Sequence, residues 1–98
     1  MNKYEAMYIL EADQTEEAIA AEVEKFNTLI TNSGAQLEET KLWGKRRLAY
    51  PINYKNDGYY VLLHFASDAQ FPTELERNFK INEHVIRYMV IRLEDEEA

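Results

Sequence analysis

The stretch that decides the fold is Lys41–Phe65, KLWGKRRLAYPINYKNDGYYVLLHF. It contains two runs of strand-forming residues, separated by the turn signal Asn56-Asp57-Gly58. The first run extends from Ala35 to about Ile52, and the second covers Tyr59–Phe65. The sequence therefore predicts a β-hairpin in the middle of the chain, in which strands two and three follow each other directly.

Two residues shape the first strand of this hairpin. Gly44 interrupts the strand and indicates a bulge or a local twist. Pro51 has no N–H to donate, which suits an edge strand or the end of a strand.

Upstream of the hairpin, the pattern predicts a strand followed by a helix. Apolar residues alternate over Tyr4–Leu10, with Tyr4, Ala6, Tyr8 and Leu10 on one face. Asp13 or Thr15 offers an N-cap for the helix, and Gly34 suits the position after its last turn. The helix should bury the stripe Ile19, Val23, Phe26 and Ile30.

Downstream, the pattern predicts a second helix and a fourth strand. The helix opens at Ser67 or Asp68, although Pro72 is comfortable only in a first turn and favours a later start. It ends at Asn82-Glu83, and Val85–Leu93 follows as a strand. The buried stripe of the helix should be Phe71, Leu75 and Phe79.

The predicted order is therefore β-α-β-β-α-β. Two split βαβ units give an α+β, ferredoxin-like sandwich with a four-stranded antiparallel sheet and both helices on one face. Crossover handedness places strands one and three at the centre. The other sheet face is left uncovered, and its apolar residues make it a candidate partner surface. On this interpretation it carries Met7, Ile9, Met89 and Ile91, with Arg87 nearby.

Length and composition bound the function. The 98 residues, 46% of them apolar, fit one domain, which we expect over residues 1–93. Residues 94–98 form a short acidic segment that we expect to be disordered. Without a cysteine, a signal-peptide pattern or a long apolar run, the sequence favours a cytoplasmic protein with no membrane segment and no cofactor.

Nothing in the sequence indicates catalysis. The three glycines are isolated, so there is no phosphate-binding loop, and no carboxylates are paired for acid–base work. His64 and His84 lack neighbours at metal-ligand or nucleophile spacing and are interpreted as structural or surface histidines. We therefore expect a protein that is not an enzyme and has no metal site and no small-molecule substrate.

The charge distribution is uneven. The formal net charge is −7, yet Lys41–Lys55 contains five of the eleven bases and no acid. Such a window can contact RNA phosphates, or it can protect an edge strand from aggregation. Strand alternation would place Arg46 opposite Lys45 and Arg47 unless Gly44 distorts the strand. Trp43 and Tyr50 should also lie on opposite faces, with at least one of them in the core.

These residues carry a resemblance to a known family. The string WGKRRLAYPI, Trp43–Ile52, is preceded near the N-terminus by Lys3-Tyr4-Glu5 and followed by the strand Asp57–Tyr60. The closing segment Glu74–Arg92, ELERNFKINEHVIRYMVIR, fits as well. From Lys3 to Leu93 the chain resembles the bacterial small-subunit ribosomal protein S6 family.

The resemblance implies a structural component of the small ribosomal subunit, associated with the ribosome in translation. Members of the family bind the central domain of small-subunit ribosomal RNA together with ribosomal protein S18, as a heterodimer. Because that partner is basic, an acidic subunit can still approach RNA. The residues expected to contact RNA or the partner are Lys3, Lys45, Arg46, Arg47, Tyr50 and Arg87, and the partner-binding sheet face is expected to comprise Met7, Ile9, Met89 and Ile91.

The main alternative is a small regulatory α+β module that self-associates through its sheet edges and binds a metabolite, because this topology alone does not assign a function. It leaves the basic window unexplained. For Arg87, a solvated strand charge is the alternative to a contact with RNA or the partner.

Overall fold

The computed structural model describes residues 1–52 and 55–93. A four-stranded antiparallel sheet has the strand order β2-β3-β1-β4, and two helices cover one of its faces. The elements are β1 (Asn2–Glu11), α1 (Glu16–Asn32), β2 (Gln36–Ile52), β3 (Lys55–Ser67), α2 (Phe71–Ile81) and β4 (Val85–Arg92). The predicted ferredoxin-like sandwich is confirmed, with strands one and three at its centre. The acidic segment 94–98 lies outside the described residues.

Helix α1 begins and ends where the sequence indicates. The Thr15 hydroxyl accepts the Ala18 backbone N–H at 3.1 Å, and acidic residues fill the first turn, where they complement the helix dipole. At the other end, Gly34 has a φ of +92°, a conformation that suits glycine after a helix C-cap. In the described residues no helix is long and apolar enough to span a membrane.

Helix α2 begins at Phe71, later than Ser67 or Asp68. Asp68 Oδ1 accepts the backbone N–H groups of Gln70 at 3.0 Å and Phe71 at 2.9 Å, so this side chain caps the helix from outside it. Pro72 then lies in the first turn, where its missing N–H has no helical partner to lose. The later start therefore agrees with the constraint that Pro72 imposes.

An aromatic cluster joins the sheet to both helices. The ring centroids of Tyr8 and Phe26 lie 4.9 Å apart, those of Tyr8 and Phe79 also 4.9 Å, and those of Phe26 and Phe79 4.8 Å. Burial, more than the nearby charge of Glu22, raises the pKa of the Tyr8 hydroxyl far above its usual value. The buried stripes of α1 and α2 are the predicted ones, Ile19, Val23, Phe26 and Ile30, and Phe71, Leu75 and Phe79.

The hairpin of β2 and β3 is confirmed, but its predicted turn is wrong. Asn56-Asp57-Gly58 lies inside β3, and after a register shift beyond Arg47 the ladder pairs Ile52 with Lys55. The glycine has a packing role, because a Cβ at Gly58 would overlap the Ile9 side chain and lie 3.4 Å from Leu48 Cδ2. What looks like a turn signal is therefore a site of close approach between β3 and side chains of β1 and β2.

Gly44 marks a bulge in β2, as its position in the strand indicates. The register with β3 shifts between Leu42 and Gly44, so Trp43 is the extra residue. Gly44 has a φ of +86°, which a residue with a side chain adopts only with strain. The bulge reverses the alternation of side chains along the rest of the strand.

We predict that Gly58→Ala destabilises the protein by about 1–3 kcal/mol, because the new methyl group overpacks against Ile9. Urea unfolding should show the loss, and Asn56→Ala, an exposed position in the same strand, should change little. In an Ile9→Ala background the penalty should shrink, because the overlapping group is gone. An equal penalty in both backgrounds would contradict this packing account.

Candidate interaction surface

The uncovered sheet face carries the four apolar residues predicted for it. Antiparallel pairing sets Met7 opposite Met89, with Ile91 and Ile9 in the neighbouring positions of the same face. Met89 is 49% exposed and Ile91 42% exposed, whereas Ile9 is buried and forms part of the floor. A shallow depression at this place is lined by Met7, Ile9, Tyr60, Arg87, Tyr88 and Met89. We call this uncovered side of the sheet the open face.

Arg87 projects to the open face and contacts Tyr50. It pairs with Ile9 in the ladder, and its Nη1 donates a hydrogen bond to the Tyr50 hydroxyl. The guanidinium carbon also lies 5.8 Å from the centroid of the Tyr50 ring. Because β2 and β4 occupy opposite edges of the sheet, this contact requires the part of β2 that carries Tyr50 to bend across the open face.

The basic window divides between the two faces of the sheet, as alternation indicates. Lys45, Arg46 and Arg47 are exposed and lie opposite Tyr59, Gly58 and Asp57 respectively. Tyr59 packs against the core, so Lys45 and Arg47 share the helix-bearing side, and Arg46 lies on the open face. The Arg46 guanidinium carbon is 5.5 Å from the centroid of the Trp43 ring. Arg46 therefore lies on the same face as Arg87, whereas Lys45 and Arg47 do not.

The prediction that Trp43 or Tyr50 belongs to the core is wrong. Trp43 is 45% exposed and Tyr50 is 55% exposed. The bulge adds Trp43 as an extra residue in β2, so strict alternation does not give the faces of Trp43 and Tyr50. The buried residue of this segment is Leu48. Two aromatic side chains thus remain accessible beside the two open-face arginines.

Lys3 is separated from the basic window. It lies opposite Ala66, at the end of the β1–β3 ladder far from Gly58, and its Nζ is 3.8 Å from Glu38 Oε2. The six basic and aromatic residues proposed from the sequence therefore do not form one continuous patch.

The sequence does not reveal a polar row on the open face. Glu5, His64 and Glu39 lie side by side on β1, β3 and β2. His64 Nε2 is 2.9 Å from Glu5 Oε1, and His64 Nδ1 is 3.5 Å from Glu39 Oε1. His64 therefore contacts carboxylates on both neighbouring strands, and these partners depend on strand register and on the register shift between Leu37 and Glu39, which no local motif indicates.

A second polar cluster ties the hairpin to the end of β1. Lys55 Nζ lies 3.1 Å from Asp13 Oδ2 and 3.7 Å from Glu11 Oε2, and His84 Nδ1 is 3.2 Å from Glu11 Oε1. The hydrogen bond from Lys55, followed by its charge, lowers the pKa of Asp13, and the same contact raises the pKa of Lys55. Across residues 1–52 and 55–93, no group of three or more histidine and acidic side chains could hold a metal ion.

The fold and this surface define a small ferredoxin-like α+β protein with an exposed, partly apolar sheet face. The sequence model of the family Ribosomal protein S6 matches residues 3–92, and the chain belongs to that family. It is therefore a non-catalytic, ribosome-associated structural component of the small ribosomal subunit, as the resemblance implies. The alternative of a metabolite-binding module is not retained.

Individual members of the family match this chain over nearly its whole length. Small ribosomal subunit protein bS6 of Clostridium acetobutylicum is 52% identical over 94 residues, covering 96% of this chain and 99% of the relative. The bS6 protein of Alkaliphilus metalliredigens is 50% identical over 95 residues, covering 97% of this chain and 100% of the relative. The crystal structure of ribosomal protein S6 from Thermotoga maritima superposes with a TM-score of 0.89 at 28% identity, covering 94% of this chain and 87% of that one.

We predict that Lys55→Met raises the pKa of Asp13 back towards its ordinary value of 3.8, because the substitution removes the donor that favours the carboxylate. An NMR titration of the side-chain carboxyl carbon measures this directly. Because the pKa of Asp13 is lower in the folded state, the ion pair stabilises the fold at pH values above the ordinary pKa of Asp13. This stabilisation is lost as the pH falls through the lowered pKa of the folded state.

The matched control is Lys45→Met, which removes the same charge from a side chain that lies outside this cluster. An Asp13 pKa that stays low in Lys55→Met would contradict the assigned ion pair.

Proposed function

We propose that this chain binds small-subunit ribosomal RNA as a heterodimer with ribosomal protein S18. The open face receives the partner, and the basic window, with Lys3 and Arg87, contacts the RNA backbone. The observation that carries the proposal is an exposed apolar sheet face bordered by arginines in a protein of net charge −7.

The open face has the chemistry of a docking surface. The exposed side chains of Met89 and Ile91 stand beside Met7 at its centre, and no described element covers them. Methionine suits such a place because its flexible side chain adapts to the shape of a partner. Burial of this strip against an apolar segment of S18 would supply the hydrophobic part of the association.

The basic window has cations that are available to phosphate. In the described residues Lys45, Arg46 and Arg47 form no ion pair, whereas Lys3, Lys41, Lys55 and Arg77 each lie within 4.0 Å of a carboxylate. Each cation that neutralises a phosphate releases bound counterions, which favours binding most at low salt. At long range, however, the net charge of the chain opposes RNA, so a basic partner is needed for tight binding.

Trp43 and Arg46 add a flat surface beside these charges. The guanidinium lies over the exposed indole at 5.5 Å from the ring centroid. Aromatic rings and guanidinium planes are the groups on which unpaired RNA bases stack. We therefore propose that this pair contacts a base or sugar next to the phosphates held by its neighbours.

We predict that a fragment of the central domain of small-subunit ribosomal RNA binds this chain tightly only when S18 is present. The substitutions Arg46→Ala and Arg47→Ala together should weaken RNA binding by the complex. They should also reduce the log–log salt slope by about one for each phosphate that is no longer neutralised. A filter-binding titration at several salt concentrations gives both quantities.

The control is Lys25→Ala with Lys80→Ala, two exposed bases on the helices that carry the same total charge. Tight binding without S18 at physiological salt would contradict the proposal. Loss of the heterodimer in the double-arginine variant would assign Arg46 and Arg47 to the partner interface in place of the RNA.

We predict that Met89→Ser weakens association with S18 about five- to tenfold, because it removes roughly 1 kcal/mol of apolar burial from the open face. Titration calorimetry of the two proteins measures the change. Ile81→Ser is the matched control, because Ile81 is a more exposed apolar residue that lies on α2, away from the open face. Equal effects of the two substitutions would show that the open face is not part of the interface.

A further inference from the structure

The open face has different charge at its two ends. Along β1, Glu5, Met7 and Ile9 lie on this face at successive alternate positions, so each row is about 7 Å from the next. The row at Glu5 continues to His64 and Glu39, and we call these three residues the acidic row. The row at Ile9 ends in Arg87 on β4. The next row contains Arg46 and Glu11, and the Glu11 carboxylate lies 3.7 Å from Lys55 Nζ. The apolar strip centred on Met7 and Met89 separates the two ends.

The two carboxylates of the acidic row carry more negative charge than His64 can neutralise. Even a protonated His64 carries one positive charge against the two carboxylates of Glu5 and Glu39, so the acidic row keeps a net negative charge. The bond to Glu5 is the shorter, at 2.9 Å against 3.5 Å to Glu39. The acidic row thus has an additional acceptor that faces the open side of the sheet.

The lysines near the acidic row neutralise little of its negative charge. Lys41 Nζ is 4.0 Å from Glu39 Oε2, and Lys3 Nζ is 3.8 Å from Glu38 Oε2, with exposed side chains in both pairs. Exposed ion pairs at such distances are weak, because water and salt screen them. On β4 the neighbour of Glu5 is Ile91, which is apolar. A cation from outside the chain would therefore find both carboxylates available.

We propose, resting on the heterodimer under Proposed function, that this charge difference sets the direction in which the partner segment lies on the open face. The segment is apolar where it covers Met7 and Met89 and has a lysine or arginine side chain over Glu5 and Glu39. At the other end the segment stops short of Arg46 and Arg87, which stay available to RNA phosphate. Partial exclusion of water by the apolar strip makes the cation–carboxylate contact stronger than an exposed ion pair.

The test compares two double variants that change the net charge equally. In the first, Glu5→Gln and Glu39→Gln remove the carboxylates of the acidic row. In the second, Glu24→Gln and Glu83→Gln remove two exposed acids, one on α1 and one between α2 and β4. Calorimetry with purified S18 at two salt concentrations gives the dissociation constants, and thermal melts establish that each variant is folded.

We expect the acidic-row variant to bind S18 at least tenfold more weakly, with a smaller salt dependence, and the control variant to stay within about twofold of the wild type. Equal losses in the two variants would overturn the proposal, because they would reflect only long-range charge. If the acidic-row variant binds normally while Met89→Ser binds weakly, the heterodimer stands and the orientation is wrong. If the wild-type chain itself does not bind S18, the proposed function fails.

A single substitution serves as the test if the double variant of the acidic row does not fold. Glu39→Gln alone leaves the shorter His64–Glu5 hydrogen bond intact. It should still weaken binding of S18 several-fold, and unchanged binding by a folded Glu39→Gln protein would count against the acidic row.

Discussion

The antiparallel pairing of β1 with β3 is the constraint on which the rest of this structure depends. It runs from Asn2 opposite Ser67 to Glu11 opposite Gly58 without a register shift. A strand has side chains on alternate sides, so this single register assigns one set to the helices and the other to the open face. A slip of one residue would turn Tyr8 outward and Met7 inward, and would abolish both the aromatic core and the interaction surface.

The two edge strands, β2 and β4, bring charged and aromatic side chains to the open face. β2 contains three register shifts against β3, and the one at Trp43 changes the face on which the residues that follow it lie. As a result, Arg46 and Tyr50 lie on the same side as Arg87, although they come from the opposite edge of the sheet. An acidic protein thereby concentrates cations and aromatic rings at one end of a face whose other end is acidic.

The sequence predicts the architecture well because period and capping are local properties. The stripe of α1, its Thr15 cap and the order of the strands follow from residues a few positions apart. The errors arise where tertiary contacts override local signals. Gly58 resembles a turn residue but is required by the Ile9 side chain, and Trp43 breaks the alternation that would place it or Tyr50 inside. His64 contacts Glu5 across 59 positions of sequence, which a single chain read locally cannot reveal.

Strand β4 has a consequence for when the protein becomes competent to bind. The open face combines Met7 from the first strand to be synthesised with Arg87 and Met89 from the last. Until β4 pairs, β1 has an unpaired edge and Tyr50 lacks its arginine, so the surface does not exist in an incomplete chain. Because β1 and β4 lie at opposite ends of the sequence, these contacts cannot form until β4 has been synthesised. A partner that binds this face as proposed would therefore recognise only chains in which β4 has paired with β1.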